Sequence, residues 1–135
     1  MIKPGPYDPT ETALVFSADS TVIPKTVSPS LYAELDSEFD GFKGCSLVAR
    51  HTFTEPWPTW EMHPKGDEVI CLLNGDIDFV LWVDGAEQPV RVTEPGNCII
   101  VPRGVWHTSR PHVPTSMLFI TPGEGTEIAP APPPG

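Results

Sequence analysis

From residue 45 onward, apolar and polar residues follow one another in short runs, each closed by Gly, Pro, Asn or Asp, and that rhythm reads as a succession of β-strands. Cys45 to Phe53 alternate well enough for one strand. After the Pro-rich loop Glu55-Pro56-Trp57-Pro58, the pattern predicts strands over Thr59 to His63, Glu68 to Leu73, Ile77 to Val83, Gln88 to Thr93, Cys98 to Pro102, Val105 to Thr108 and Ser116 to Thr121. Asn74-Gly75, between an apolar run and an alternating one, predicts a tight hairpin. Asp84-Gly85 predicts another, and Glu94-Pro95-Gly96 predicts a type II turn with proline first and glycine at the positive-φ position. Both are expected to feed antiparallel pairing. Many short strands bounded by turn residues define an all-β sandwich or barrel.

The flanks read differently. Residues 1–12 are polar and turn-rich and are expected to form an arm. Ala13 to Ser17 read as a short strand, and Ser28-Pro29-Ser30 offers a helix start, with Ser28 as cap and Pro29 in the first turn. Residues 13–121 form the single expected domain. Beyond Thr121 the sequence becomes rich in Pro and Gly and cannot supply a core face, so residues 122–135 are expected to be an extended, exposed tail.

Length and charge narrow the classes. A chain of 135 residues suits one core. A net charge of −10 and a pI near 4.6 argue against nucleic acid and against an anionic membrane surface, since either would call for a basic patch. No apolar run approaches the length of a bilayer-spanning helix, and Met1-Ile2-Lys3-Pro4-Gly5-Pro6 lacks the apolar stretch of a secretion signal. The expectation is a cytoplasmic protein. Cys45, Cys71 and Cys98 fall within predicted strands, are odd in number and have no Cys-x-x-Cys spacing, so they read as buried small apolar residues.

Candidate chemistry gathers at two places. Glu61-x-His63, then four residues, Glu68, six residues and Gly75 make the first. Gly96, five residues, Pro102-x-Gly104, two residues and His107 make the second. These spacings resemble the two motifs of the cupin superfamily, in which the first motif usually opens on a histidine where this chain has Glu61. The second motif usually continues to an Asn where this chain has Pro111. The resemblance covers about the central third of the chain as motif and, through the strand pattern, most of residues 44–121.

What the resemblance implies is a double-stranded β-helix, or jelly-roll barrel, in which Glu61, His63, Glu68 and His107 converge on a divalent metal. Exchanging an imidazole for a carboxylate hardens such a site, favouring Fe²⁺ or Mn²⁺ while still admitting Zn²⁺ or Ni²⁺. Glu61 is either a ligand or a catalytic base beside the ion. The implied function is a metal-dependent enzyme of dioxygenase type on a small organic substrate; a redox-inert ion would instead serve an isomerase or hydrolase, and the other class is a barrel that binds a small molecule without turnover. The resemblance also implies a homodimer built through an N-terminal strand near residues 13–17. Trp57, in the loop before the site, is the aromatic candidate for a ligand pocket, while Trp60 and Trp106 are expected to pack on the opposite face. Arg103 and Arg110 are read as charges at the rim. His51 and His112 are read as surface or strand-end residues, and Gly75, Gly96, Pro102 and Gly104 as backbone geometry.

Overall fold

The structure is a computed structural model and describes residues 2–134. Its strands, in chain order, are β1 (Thr12–Phe16), β2 (Val22–Thr26), β3 (Ser46–Phe53), β4 (Trp60–Met62), β5 (Glu68–Asn74), β6 (Ile77–Val83), β7 (Ala86–Val92), β8 (Cys98–Val101), β9 (His107–Pro111), β10 (Thr115–Thr121) and β11 (Glu127–Ala129). Among the described residues there is a single helix, α1 (Leu31–Glu38), between β2 and β3. The strands form two antiparallel sheets, one ordered β2-β1-β3-β10-β5-β8 and the other β11-β4-β9-β6-β7. This is the jelly-roll arrangement that the strand rhythm and the motif resemblance predict.

The alternation along the strands explains the core. Ile70 and Leu72 of β5, Ile77 and Phe79 of β6 and Met117 of β10 are fully buried between the sheets. A second cluster gathers Leu31 and Leu35 of α1 with Ala13, Val15, Leu47 and Ala49 beneath them. The helix therefore buries one narrow face and leaves the rest of its acidic length to solvent. Among the described residues, no helix is long and apolar enough to cross a membrane.

Several local expectations are corrected. Asn74-Gly75 does not make a hairpin: β5 and β6 lie in different sheets, and Gly75 (φ 122°) carries the chain across. Thr115 ties down the crossing, its Oγ1 accepting from the Asp76 N–H at 3.1 Å. Glu94-Pro95-Gly96 has the expected turn, with Asn97 N–H donating to the Glu94 carbonyl at 3.0 Å and Gly96 at φ 90°, yet it too links strands of different sheets. Asp84-Gly85 is the true two-residue hairpin, with positive φ at both residues and Val83 paired to Ala86.

The helix opens at Leu31 rather than at Pro29, with Ser30 as the capping position and no side-chain cap, because Ser28 and Pro29 are spent on the turn that precedes it. β2 is a strand that the sequence pattern does not predict; it tolerates Pro24 because it is an edge strand, as β7 tolerates Pro89. Within the expected tail, Glu127–Ala129 pair with β4 as β11. β1 is paired on both sides within its own chain, by β2 and β3.

The cysteines also depart from expectation. Cys71 and Cys98 sit directly opposite each other on β5 and β8 and form a disulfide, with Cα atoms 4.1 Å apart. Cys98 is exposed rather than buried. Only Cys45, which lies just before β3, is a buried free thiol.

Candidate metal centre

Glu61 occupies the middle of β4 and pairs in register with His107, the first residue of β9. Residues opposite each other in an antiparallel pair share a face, and a strand returns to the same face every second residue. Glu61, His63 and His107 therefore point together from one sheet. Glu68, the first residue of β5, faces them from the other sheet. The loops that carry them are tied together: Gly104 N–H donates to the His63 carbonyl at 2.9 Å, and Arg103 N–H donates to Oδ1 of Asp67 at 2.8 Å. Gly104 makes this approach at φ 78°, a conformation that disfavours a Cβ. The two motifs are thus joined by backbone contacts before any ion is considered.

Ligand-type atoms of Glu61, His63 and His107 all lie within 4.8 Å of one another, a Glu–His–His group able to hold a metal ion. Glu68 is closer still to the imidazoles, its Oε1 lying 3.2 Å from Nε2 of His107 and 3.5 Å from Nε2 of His63. Oε2 of Glu61 lies 4.0 Å from Nε2 of His63. His63, Glu68 and His107 are buried, while the side chain of Glu61 is 30% exposed.

Hydrogen bonding fixes which imidazole nitrogen carries the proton. Thr126 Oγ1 donates its one proton to the Gly123 carbonyl at 2.9 Å, so toward His63 it accepts, and Nδ1 of His63 is the donor at 2.8 Å. The Val105 carbonyl can only accept, so Nδ1 of His107 donates to it at 3.2 Å. In the neutral rings both Nε2 atoms are left bare. They face Oε1 of Glu68, whose other oxygen accepts from Thr121 Oγ1 at 2.5 Å. Both Nε2 atoms and this Oε1 are buried with no hydrogen-bond partner. Three buried acceptors aimed at one place repel unless a cation lies among them, and the donor set fits a divalent metal.

Without a metal, protons are the remaining cation. Burial pushes the Glu68 carboxyl up, but the imidazoles of His107 and His63, as donors and as charges, outweigh it and hold the group down at about 2. For His107, burial pulls the imidazole down, and Glu68, with smaller help from the Val105 carbonyl and Glu61, reverses this to a raised value. For Glu61, burial is the largest influence and leaves the carboxyl raised despite the opposing pull of His107 and His63.

The residues that support the imidazoles and Glu68, Thr126 and Thr121, carried no local signal in the sequence. Trp57 does line the cavity beside the site, its ring centroid 6.2 Å from that of His107. Trp60 packs away from it, edge-on against Trp82. His51 is exposed, as its surface reading has it, and also lines the cavity, against Phe119. Arg110 is held by Glu87 in a two-pronged ion pair on the surface, and His112 lies 3.2 Å from Asp78.

Two antiparallel sheets closing on a metal-type cluster at their shared end are the cupin fold, and this chain has it. No family model matches the chain, and no curated protein does. Among solved structures it is similar to an oxalate oxidase in complex with glycolate, at 16% identity over 61% of this chain and 45% of that one, with a TM-score of 0.51. It is also similar to Peruvianin-I, a cysteine peptidase from Thevetia peruviana latex, at 17% identity, 62% and 55% coverage and a TM-score of 0.51. A cupin-2 domain protein from Shewanella frigidimarina matches at 19% identity, 57% and 70% coverage and a TM-score of 0.49. The chain spans about half the length of the first two. At such identities the likeness is one of fold, and an oxidase and a peptidase share it equally.

Proposed function

We propose that the chain is a metal-dependent enzyme of dioxygenase type, acting on a small organic substrate, with His63, His107, Glu68 and Glu61 as the metal set. The observation that carries this reading is the convergence of three buried, unpartnered acceptors, two of them imidazole nitrogens bared by their own Nδ1 hydrogen bonds. A redox-active divalent ion bound there, iron or manganese by the hardness of the carboxylates, would supply electron transfer between an organic molecule and O₂. The similarity to an oxalate oxidase is in keeping with an oxidoreductase.

The chain's own groups supply the rest. Phe53, Trp57 and Phe119 form an apolar wall beside the metal set, which holds the organic part and excludes water. Glu61, partly exposed and with its carboxyl raised by burial, is suited to take a proton from a substrate hydroxyl at Oε2.

The test is metal analysis of protein purified without added ions, followed by an O₂-uptake screen against catechols, flavonols, small thiols and β-dicarbonyls. Iron or manganese with O₂ uptake supports the reading, whereas a retained organic ligand with no uptake points to a binding protein. His107→Ala should remove most of the metal, and unchanged content in that variant would refute the ligand set. Glu61→Gln separates the two roles of Glu61, since loss of metal marks a ligand and slow turnover at full occupancy marks a base.

A further inference from the structure

The cavity that ends on the metal set has a character that bears on what it admits. Its volume is about 720 Å³, the size of a site for a ring-bearing molecule and far larger than a two-carbon acid requires. The wall is aromatic: the ring centroids of Phe53 and Trp57 lie 5.3 Å apart, those of Trp57 and Phe119 6.2 Å and those of His51 and Phe119 5.4 Å. Leu35, Leu47 and Ala49 continue the apolar surface.

The charged groups in that lining all have one sign. Asp36, Glu61 and Glu68 contribute carboxyls, and among the described residues no Lys or Arg lines the cavity. Arg50 is next to His51 on β3, but alternation turns it to the opposite face, where it pairs with Leu118. His51 adds no compensating charge at neutral pH, because the partial desolvation of its ring where it meets the cavity lowers its pKa.

We propose that this cavity selects an uncharged, ring-bearing molecule, with its ring on the aromatic wall and hydroxyl or carbonyl oxygens turned toward Glu61, His63 and Glu68, and that it rejects small dicarboxylates. A dianion such as oxalate would meet three carboxyls with no protein cation to offset them and would leave the aromatic wall in water. A planar diol fills that wall and places its oxygens at the polar end. The polar end rests on the metal reading above; the apolar wall and the absence of cations do not.

The test is anaerobic binding calorimetry on the full chain, Mn²⁺-loaded and metal-free, with naphthalene-2,3-diol and with oxalate. The diol should bind the loaded chain at least about tenfold more tightly than oxalate and should retain measurable binding to the metal-free chain. Trp57→Ala should weaken the diol by about tenfold, because it removes a ring from the aromatic wall. His51→Arg, an exposed position where a cation is tolerated, should raise oxalate affinity and narrow the gap. Oxalate binding as tightly as the diol, or failure of the chain to bind the diol in either state, would overturn the proposal. If Mn²⁺ fails to bind but the diol still does, the metal reading falls and the selectivity stands; if Mn²⁺ binds and oxalate is preferred, the selectivity falls and the metal reading stands.

Discussion

Thr126 Oγ1 lies 2.8 Å from Nδ1 of His63, and it comes from the C-terminal segment that joins β10 to β11. Its proton is committed to the Gly123 carbonyl, so it holds the imidazole with Nε2 bare and turned toward Glu68. A residue 63 positions away in the chain thereby sets the tautomer of a candidate ligand. Thr126→Val keeps the shape and removes the acceptor, and metal affinity should fall by about tenfold to a hundredfold. Thr126→Ser should restore most of it. Competitive metal titration with a chelator measures both, and equal affinities for Val and Ser variants would show that the hydroxyl has no such role.

The pH dependence of stability should change sign with metal. In the metal-free chain His107 is raised above its ordinary 6.5, so the stability its protonated form contributes is full below that value and is lost as pH rises through the folded one. Glu68, held at about 2 against an ordinary 4.5, contributes stability present above 4.5 and lost only as pH falls toward 2. The metal-free melting temperature should therefore decline as pH rises above the ordinary 6.5 of His107. A bound ion takes the deprotonated imidazoles, so with saturating Mn²⁺ the melting temperature should instead rise as pH passes that value. Thermal scans with and without Mn²⁺ decide this. A metal-free decline that persists in His107→Gln would assign it to some other group.

Local chemistry made much of this molecule legible in its sequence. Ile77 to Val83 is apolar apart from Asp78 and folds as a strand with those bounds, and Asp84-Gly85 closes it as expected, with positive φ at both residues. The shared face of Glu61 and His63 follows from the strand period, and the motif resemblance implies that His107 and Glu68 join them, as they do, Glu68 from the facing sheet. What stayed hidden depends on which strand lies beside which. Asn74-Gly75 carries the residues of a hairpin but bridges two sheets, because β5 finds its partners in β8 and β10. β11 and Thr126 lie in a Pro-rich stretch whose composition speaks for exposure, and only pairing with β4 gives them a place. Cys71 and Cys98 meet for the same reason, through a register that no local pattern encodes.

Gly75 shows how closely the chain passes β10 as it leaves β5 for the other sheet. A Cβ built there would lie 2.7 Å from both Cα and Cβ of Thr115, and the backbone already sits at φ 122°. Neither neighbour can yield, since Thr115 is fully buried and bonded to the Asp76 backbone. Gly75→Ala should cost about 3 kcal/mol, combining backbone strain with overpacking. Gly96, at φ 90° with open space around it, should cost less on the same substitution, about 1 kcal/mol, from conformation alone. Urea denaturation of both variants gives the comparison, and equal losses would mean that contact with Thr115 adds nothing.

The Cys71–Cys98 disulfide joins β8, an edge strand, to β5, which opens on Glu68. Closing a loop across a sequence separation of 27 restricts the unfolded chain, an effect worth about 3 kcal/mol by chain entropy. The double substitution Cys71→Ala and Cys98→Ala should lower stability by that order while leaving metal affinity nearly unchanged, because four β5–β8 residue pairs and the Gly104–His63 contact survive it. Reduction by dithiothreitol should reproduce the loss in the parent chain and have no effect on the variant. A fall in metal affinity as large as that of Thr126→Val would instead make the disulfide part of what positions Glu68.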